Sequence, residues 1–199
     1  MAGERGLQFT FVAQALPEIE LAVVSFDWQK GLSEPFSLQL ELASTYDQLL
    51  GHPLLNSCGQ LAIWFDGQRL RQVDGIIVSV TQAERGLRRS RYRLLLRPPL
   101  WRLQLRHNSR IFQGVTPEQI IATLLQEQGV CAHRFMLRHA HGPREYCVQY
   151  RESDLFFIQR LLAEEGISYR YTHGPHPETS LRDGESDSLD DSAPRHTLV

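Results

Sequence analysis

Apolar and polar positions alternate through most of the first hundred residues, and this period of two predicts strands. Residues 7–13 (LQFTFVA) and 19–28 (IELAVVSFDW) read as the first two. After a turn at Gly31, residues 35–42 (PFSLQLEL) set Phe36, Leu38, Leu40 and Leu42 on one face and polar side chains on the other. Residues 46–55 predict a short helical turn near Leu49 and Leu50. Strands resume at 59–65, and Asp66-Gly67 marks a tight hairpin into strand 69–82, where Gly75 is placed for a bulge. Strand 88–97 follows Gly86. Closely spaced strands joined by short turns predict a compact antiparallel barrel or sandwich, and the β-barrel is taken as the domain over residues 1–106.

The pattern changes at Pro98-Pro99. Residues 99–106 predict one helical turn, and 116–128 a full helix. Thr116 is the expected N-cap, Pro117 sits at the first helical position, and Gln119 completes a capping box. Ile120, Ile121, Leu124 and Leu125 form one apolar face, and Gly129 is placed to stop the helix in the left-handed conformation. Residues 144–173 repeat this grammar, as a strand, a helix over 154–165 and a second strand. Ser153 caps the helix, Asp154 suits its positive end, Phe157, Ile158, Leu161 and Leu162 face a core, and Gly166 ends it. The fold class is therefore α+β. A barrel is followed, over 107–173, by a small α/β layer of two helices on a sheet.

Composition is that of an ordinary globular chain, with 42% hydrophobic and 22% charged residues. No apolar run approaches a membrane span, and the opening MAGERGLQFTFV is not a secretory signal. Residues 177–193 hold six acidic residues and one arginine, so 174–199 reads as an acidic flexible loop followed by HTLV, the start of a next, truncated domain. On this reading the chain is a fragment or a shortened protein.

Candidate chemistry is sparse. Cys58, Cys131 and Cys147 show no CxxC spacing and read as reduced, partly buried thiols. His139-Ala140-His141 on a strand would place two rings on one face, with His173 and His176 further along, but no carboxylate or thiol stands at ligand spacing. Cys131 and His133 are two apart, a spacing without catalytic meaning, and neither a nucleophile elbow nor a phosphate loop is present. No catalytic, cofactor-binding or metal-ligating residue is assigned, and no cofactor is expected. Arg85, Arg88, Arg89, Arg91, Arg93, Arg97, Arg102, Arg106 and Arg110 fall within twenty-six positions. They fit a charged strand face, a partner surface or a phosphate-binding face. Glu164 and Glu165 stand at the negative end of their helix, where acids are unfavourable. A salt bridge to Arg160 or Arg170 would account for them, and so would a contact between subunits.

Longer segments carry a resemblance. AVVSFDWQKGLSEPFSLQLEL (22–42), LLGHPLL (49–55), VDGIIVSV (73–80), YRLLLRPPLWRLQLRHNSRIFQGVTPEQIIATLLQEQGV (92–130) and REYCVQYRESDLFFIQRLLAEEGISYRYTH (144–173) follow one another as in the N-terminal part of VgrG proteins, the spikes of bacterial type VI secretion. The resemblance implies a structural, non-enzymatic component of a contractile injection system. It implies a phage tail-hub-like fold, a homotrimer in the full-length protein, docking on the Hcp tube, and a PAAR tip and effectors reached through parts absent here. It also implies assembly in the cytoplasm and export by the type VI machine without a signal peptide, with no nucleic-acid partner and no stable membrane anchor. A shortened VgrG-like adaptor that loads an effector or chaperone is the alternative, and a hydrolase the third reading.

Overall fold

A computed structural model of the chain describes residues 6–46, 49, 53–86, 88–173 and 196–198. By internal contacts the chain divides into two compact units. One holds Met1–Gln29, Ser37–Arg97 and Thr172–His196, and the other holds Lys30–Phe36, Pro98–Tyr171 and Thr197–Val199.

The first unit is built on six strands, β1 (Leu7–Ala13), β2 (Leu21–Gly31), β3 (Glu34–Ser44), β4 (Cys58–Phe65), β5 (Gln68–Arg85) and β6 (Ser90–Arg97). They close into a ring in the order β1-β2-β3-β6-β5-β4, with antiparallel pairing of β1 to β2 and β4, of β3 to β6, and of β5 to β4 and β6. Alternation explains the ring, because Leu38, Leu40, Leu42, Leu61, Val73, Tyr92 and Leu96 all lie on its buried side. Gly59 is required by packing, since a Cβ there would stand 2.9 Å from the Phe11 ring and 3.0 Å from Leu96 Cδ2. The hairpin at Asp66-Gly67 forms as the dipeptide predicts. Phe65 pairs with Gln68, and both loop residues have positive φ, 47° and 77°.

One local expectation differs, and two fall largely outside the described residues. Gly75 pairs regularly with Gly59, and the register breaks of β5 fall between Ile77 and Ser79 and between Gln82 and Arg85, with that of β4 between Ile63 and Trp64. Residues 53–56 form a turn and Leu49 is buried, but 47, 48 and 50–52, where the helical turn is expected, lie outside the described residues. The acidic stretch 174–195 also lies outside them.

The second unit opens with a 3-10 turn at Pro99–Leu105 and contains β7 (His107–Phe112), α1 (Pro117–Glu127), β8 (Cys147–Ser153) and α2 (Asp154–Glu164). β7 and β8 pair antiparallel. The short strand β9 (Tyr171–His173) pairs with β10 (His196–Leu198). The residues before β9, from 165 to 170, are irregular, so the second strand of the 144–173 segment is shorter than its sequence suggests.

The core of this unit joins both helices to the 3-10 turn. Leu103, Leu124, Leu125, Phe157, Ile158 and Leu161 are fully buried, and Phe112 stacks on Phe157 with ring centroids 5.9 Å apart. Both helix starts form as their sequences require. Gln119 N donates to Thr116 Oγ1 while Thr116 N donates to Gln119 Oε1, and Phe156 N donates to Ser153 Oγ. Both helices stop on a left-handed glycine, Gly129 (φ 67°) and Gly166 (φ 68°), after which Val130 N and Ile167 N donate back to Leu125 O and Leu162 O. Space is open around each glycine, so any cost of adding a side chain is conformational. Gly166→Ala is expected to destabilise the protein by about 1–2 kcal/mol, seen as a lower urea midpoint with an unchanged slope.

No helix among the described residues is long and apolar enough to cross a membrane.

Candidate functional site

The second unit carries most of the charged chemistry of the described chain, and that chemistry is organised around helix ends. Helix α1 finishes on Glu127, and α2 finishes on Glu164 with Glu165 as its C-cap. An acid at a helix C-terminus faces the negative end of the helix dipole. At each end, arginines from outside the helix compensate. Glu127 is paired with both Arg106 and Arg110, whose Nη1 lies 3.0 Å from Oε1. Arg144 places Nη1 2.7 Å from Glu164 Oε2 and Nε 2.8 Å from Glu165 Oε1. Arg160 adds a second bond to Glu164 at 2.8 Å and one to Glu152 at 2.7 Å.

The salt-bridge explanation for Glu164 holds, with a further partner. Arg160 is a partner, as expected, but Arg170 is in no ion pair among the described residues, and the main partner is Arg144, twenty residues upstream in the loop before β8. That loop is fixed by its own backbone. Arg144 N donates to Val115 O, and Gly114 N donates to Arg144 O. Both acids are thus compensated inside one chain. Hydrogen bonds from Arg144 hold the carboxyls of Glu164 and Glu165 below the ordinary range, and those from Arg110 do the same for Glu127.

Asp154 is the buried member of the set, with a fully covered side chain. It accepts from Arg106 Nε, from Gln149 Nε2 at 2.7 Å and from Arg110 Nη2 at 3.4 Å. Its place at the first turn of α2 lets the same carboxylate meet the positive helix end. Gln149, also fully buried, sits on β8 beside Arg110 of β7 and accepts from Arg110 Nε at 3.1 Å. The inner face of the β7–β8 pair is thus partly polar. Its outer face is apolar and uncovered. Ile111 and Val148 are direct partners across it, with Tyr150 alongside, and these are 62%, 47% and 66% exposed. This inverts the usual sheet pattern, in which the apolar face packs inward.

The histidine and cysteine candidates do not converge. Residues 139–141 form no strand, so His139 and His141 do not share a sheet face. His141 turns instead to Glu165, with Nδ1 2.8 Å from Oε2. His133 Nδ1 contacts Val130 O, His173 Nδ1 accepts from Asp74 N at 3.3 Å, and His176 lies outside the described residues. Among the described residues, no three His, Cys, Asp or Glu side chains are grouped to hold a metal ion. Cys147 is buried and Cys58 half-buried, but Cys131 is exposed, contrary to the expectation of partly buried thiols. Burial pushes the Cys147 thiol up. Brief alkylation of the native protein with iodoacetamide is therefore expected to label Cys131 and spare Cys147, as read by peptide mass spectrometry.

The arginine run divides. Arg91 and Arg93 lie on the exposed side of β6, where Arg91 Nη1 bonds Glu41 Oε1 across the strand pair at 2.8 Å, while Arg106 and Arg110 serve the helix ends. Sequence reading did not single out Glu127, Gln149 or Arg144. The parallel runs LLQEQG and LLAEEG, which put Glu127 and Glu164 at equivalent helix positions, were the available signal for the first.

Comparison with known proteins agrees with this architecture. Over 191 residues, 92% of the chain, it is 39% identical to the type VI secretion system spike protein VgrG3 of Vibrio cholerae. Over 176 residues it is 40% identical to spike protein VgrG2a of Pseudomonas aeruginosa. The chain spans only 19% and 21% of these relatives. Among solved structures, an Escherichia coli protein described as a component of the type VI secretion system, with structural similarity to the T4 tail proteins gp27 and gp5, superimposes with a TM-score of 0.76. The match has 26% identity and covers 83% of this chain and 45% of that one. A tail protein of Neisseria meningitidis shares the fold at 12% identity and a TM-score of 0.58, over 97% of this chain and 50% of that one. Residues 29–199 match the phage tail baseplate hub (GPD) family, and with the closed strand ring and two-helix unit in place the chain belongs to that family.

Proposed function

We propose that this chain is the hub portion of a type VI secretion spike, which forms a trimer, docks on the Hcp tube and takes part in delivering effectors into target cells. The supporting observation is the unbroken likeness to VgrG spike proteins, 39% identity over 92% of the chain. It includes both folded units rather than one shared motif. A hub of this kind acts by shape. Its strand ring and its braced helices each present a shaped surface, and symmetric copies of one surface build the assembly. The ion-paired helix ends keep the second unit rigid while load passes through it. On this reading the protein assembles in the cytoplasm, leaves the cell with the secretion machine, and carries no catalytic group of its own. PAAR proteins and effectors would meet parts of the spike beyond this chain.

Removing the coding sequence of this chain is expected to reduce Hcp release into the medium to background, with recovery on complementation. Unchanged Hcp release, together with light scattering that keeps the purified chain monomeric in the presence of Hcp, would overturn the proposal.

A further inference from the structure

The second unit contains an apolar cavity of about 380 Å³ between its helices and the segments that follow them. Its floor is buried, formed by Ile121 and Leu125 of α1, Leu162 of α2 and Tyr169. The Tyr169 hydroxyl, pushed up to about 12 by burial, accepts from Gln159 Nε2 and stays neutral. The lip is soft and exposed, with Met136 63%, Phe135 38% and Leu32 67% accessible. Methionine at such a lip adapts to the shape of an incoming side chain.

The charge around this cavity has one sign. Arg134, Arg170 and His133 line it, no acidic residue does, and exposed Arg138 stands one residue beyond its edge. Glu34 acts on the Tyr169 hydroxyl but lines no part of the cavity. These arginines differ from Arg106, Arg110, Arg144 and Arg160 of the same unit, all of which are committed to carboxylates. Among the described residues, no carboxylate lies within ion-pair distance of Arg134, Arg138 or Arg170. The peptide groups of Phe135, Met136, Leu137, Ser168 and Arg170 likewise make no backbone hydrogen bonds among the described residues. An apolar floor, a cationic rim and peptide groups without a backbone partner among the described residues together match an extended polypeptide that brings apolar anchors and carboxylates. A lipid or small anion would leave the peptide groups unused.

We infer that this cavity is a docking site for a partner protein, through an extended acidic segment whose apolar side chains enter between α1 and α2. The inference stands apart from the hub proposal, because it concerns what the second unit holds rather than how copies assemble.

The test uses the full 199-residue chain and a fluorescein-labelled peptide alternating glutamate with leucine and phenylalanine, followed by fluorescence anisotropy. Saturable binding that weakens with salt is expected. A peptide with lysine in place of each glutamate should bind at least about tenfold more weakly. Combined Arg134→Glu and Arg170→Glu should weaken the acidic peptide by a similar factor, and so should Met136→Glu alone. These side chains are exposed, so circular dichroism should show an unchanged fold. Equal binding of the acidic and basic peptides, unaltered binding by the variants, or no binding at millimolar peptide would each overturn the inference. So would preferential binding to phosphatidylserine vesicles. A peptide of residues 177–193 binding more tightly than the probe would also overturn it, by assigning the cavity to the chain itself.

Discussion

Replacing Asp154 with alanine is expected to cost about 3–5 kcal/mol of folding stability, the range for breaking a buried charge pair by removing one partner. The carboxylate is fully buried and takes hydrogen bonds from Arg106, Arg110 and Gln149. Without it, Glu127 alone must balance two guanidinium groups that are 33% and 22% exposed. Gln149 also loses an acceptor in a buried position. The loss reaches several elements at once, because Asp154 starts α2, Arg110 lies on β7, Gln149 on β8 and Glu127 at the end of α1. Urea unfolding followed by circular dichroism measures the effect. In a double variant with Arg106→Met the total cost should fall below the sum of the single costs, since the second change removes a charge that the first leaves unbalanced. Additive costs would mean that the two groups do not interact.

Arg144→Met is expected to cost about 1–3 kcal/mol, between the values for exposed and buried ion pairs. The Arg144 side chain is 26% exposed, and its partners Glu164 and Glu165 are 39% and 19% exposed. Each acid keeps a second partner, Arg160 for Glu164 and His141 for Glu165, which limits the loss. The backbone of residue 144 stays bonded to Gly114 and Val115, so the variant tests the charge rather than the loop. A pH dependence follows. Arg144 depresses the carboxyl pKa of Glu164 and Glu165 below 4.5 in the folded protein. The stability this confers is fully present above the unfolded carboxyl value and is lost as pH falls through the folded one. Stability of the wild-type protein should therefore decline below about pH 4.5. The decline should be shallower in Arg144→Met, as read from urea midpoints at several pH values. Parallel curves would show that Arg144 does not hold these acids.

Much of the fold was legible because its determinants are local. Alternation at Phe36, Leu38, Leu40 and Leu42 identifies a strand without knowledge of its neighbours, and Asp66-Gly67 specifies a two-residue turn through its backbone preferences. Thr116 with Gln119, and Ser153 with Gly166, mark helix starts and stops because capping bonds reach only three or four residues. Departures occurred where distant contacts decide. Gly75 has the freedom to bulge, but it lies opposite Gly59 in regular register, and the breaks are placed elsewhere along β4 and β5. His139 and His141 occupy irregular chain, and His141 meets Glu165, twenty-four residues away.

The partner of the misplaced acids could not be read at all. Glu164 and Glu165 violate a local rule, and the sequence alone announces that violation. Arg160, one turn earlier on the same helix, is within the reach of periodicity, whereas Arg144 is brought near only by its backbone pairing with Val115. The sequence by itself determined the strands, the two capped helices, the composition that leaves catalysis without a motif, and the resemblance to a secretion spike. Only the tertiary structure decided the order of strands in the ring, the partners of the helix-end acids, and the sorting of arginines into those that brace helix ends and those that ring an apolar cavity. Capping and alternation act over a few residues, while charge pairing and burial depend on distance in space.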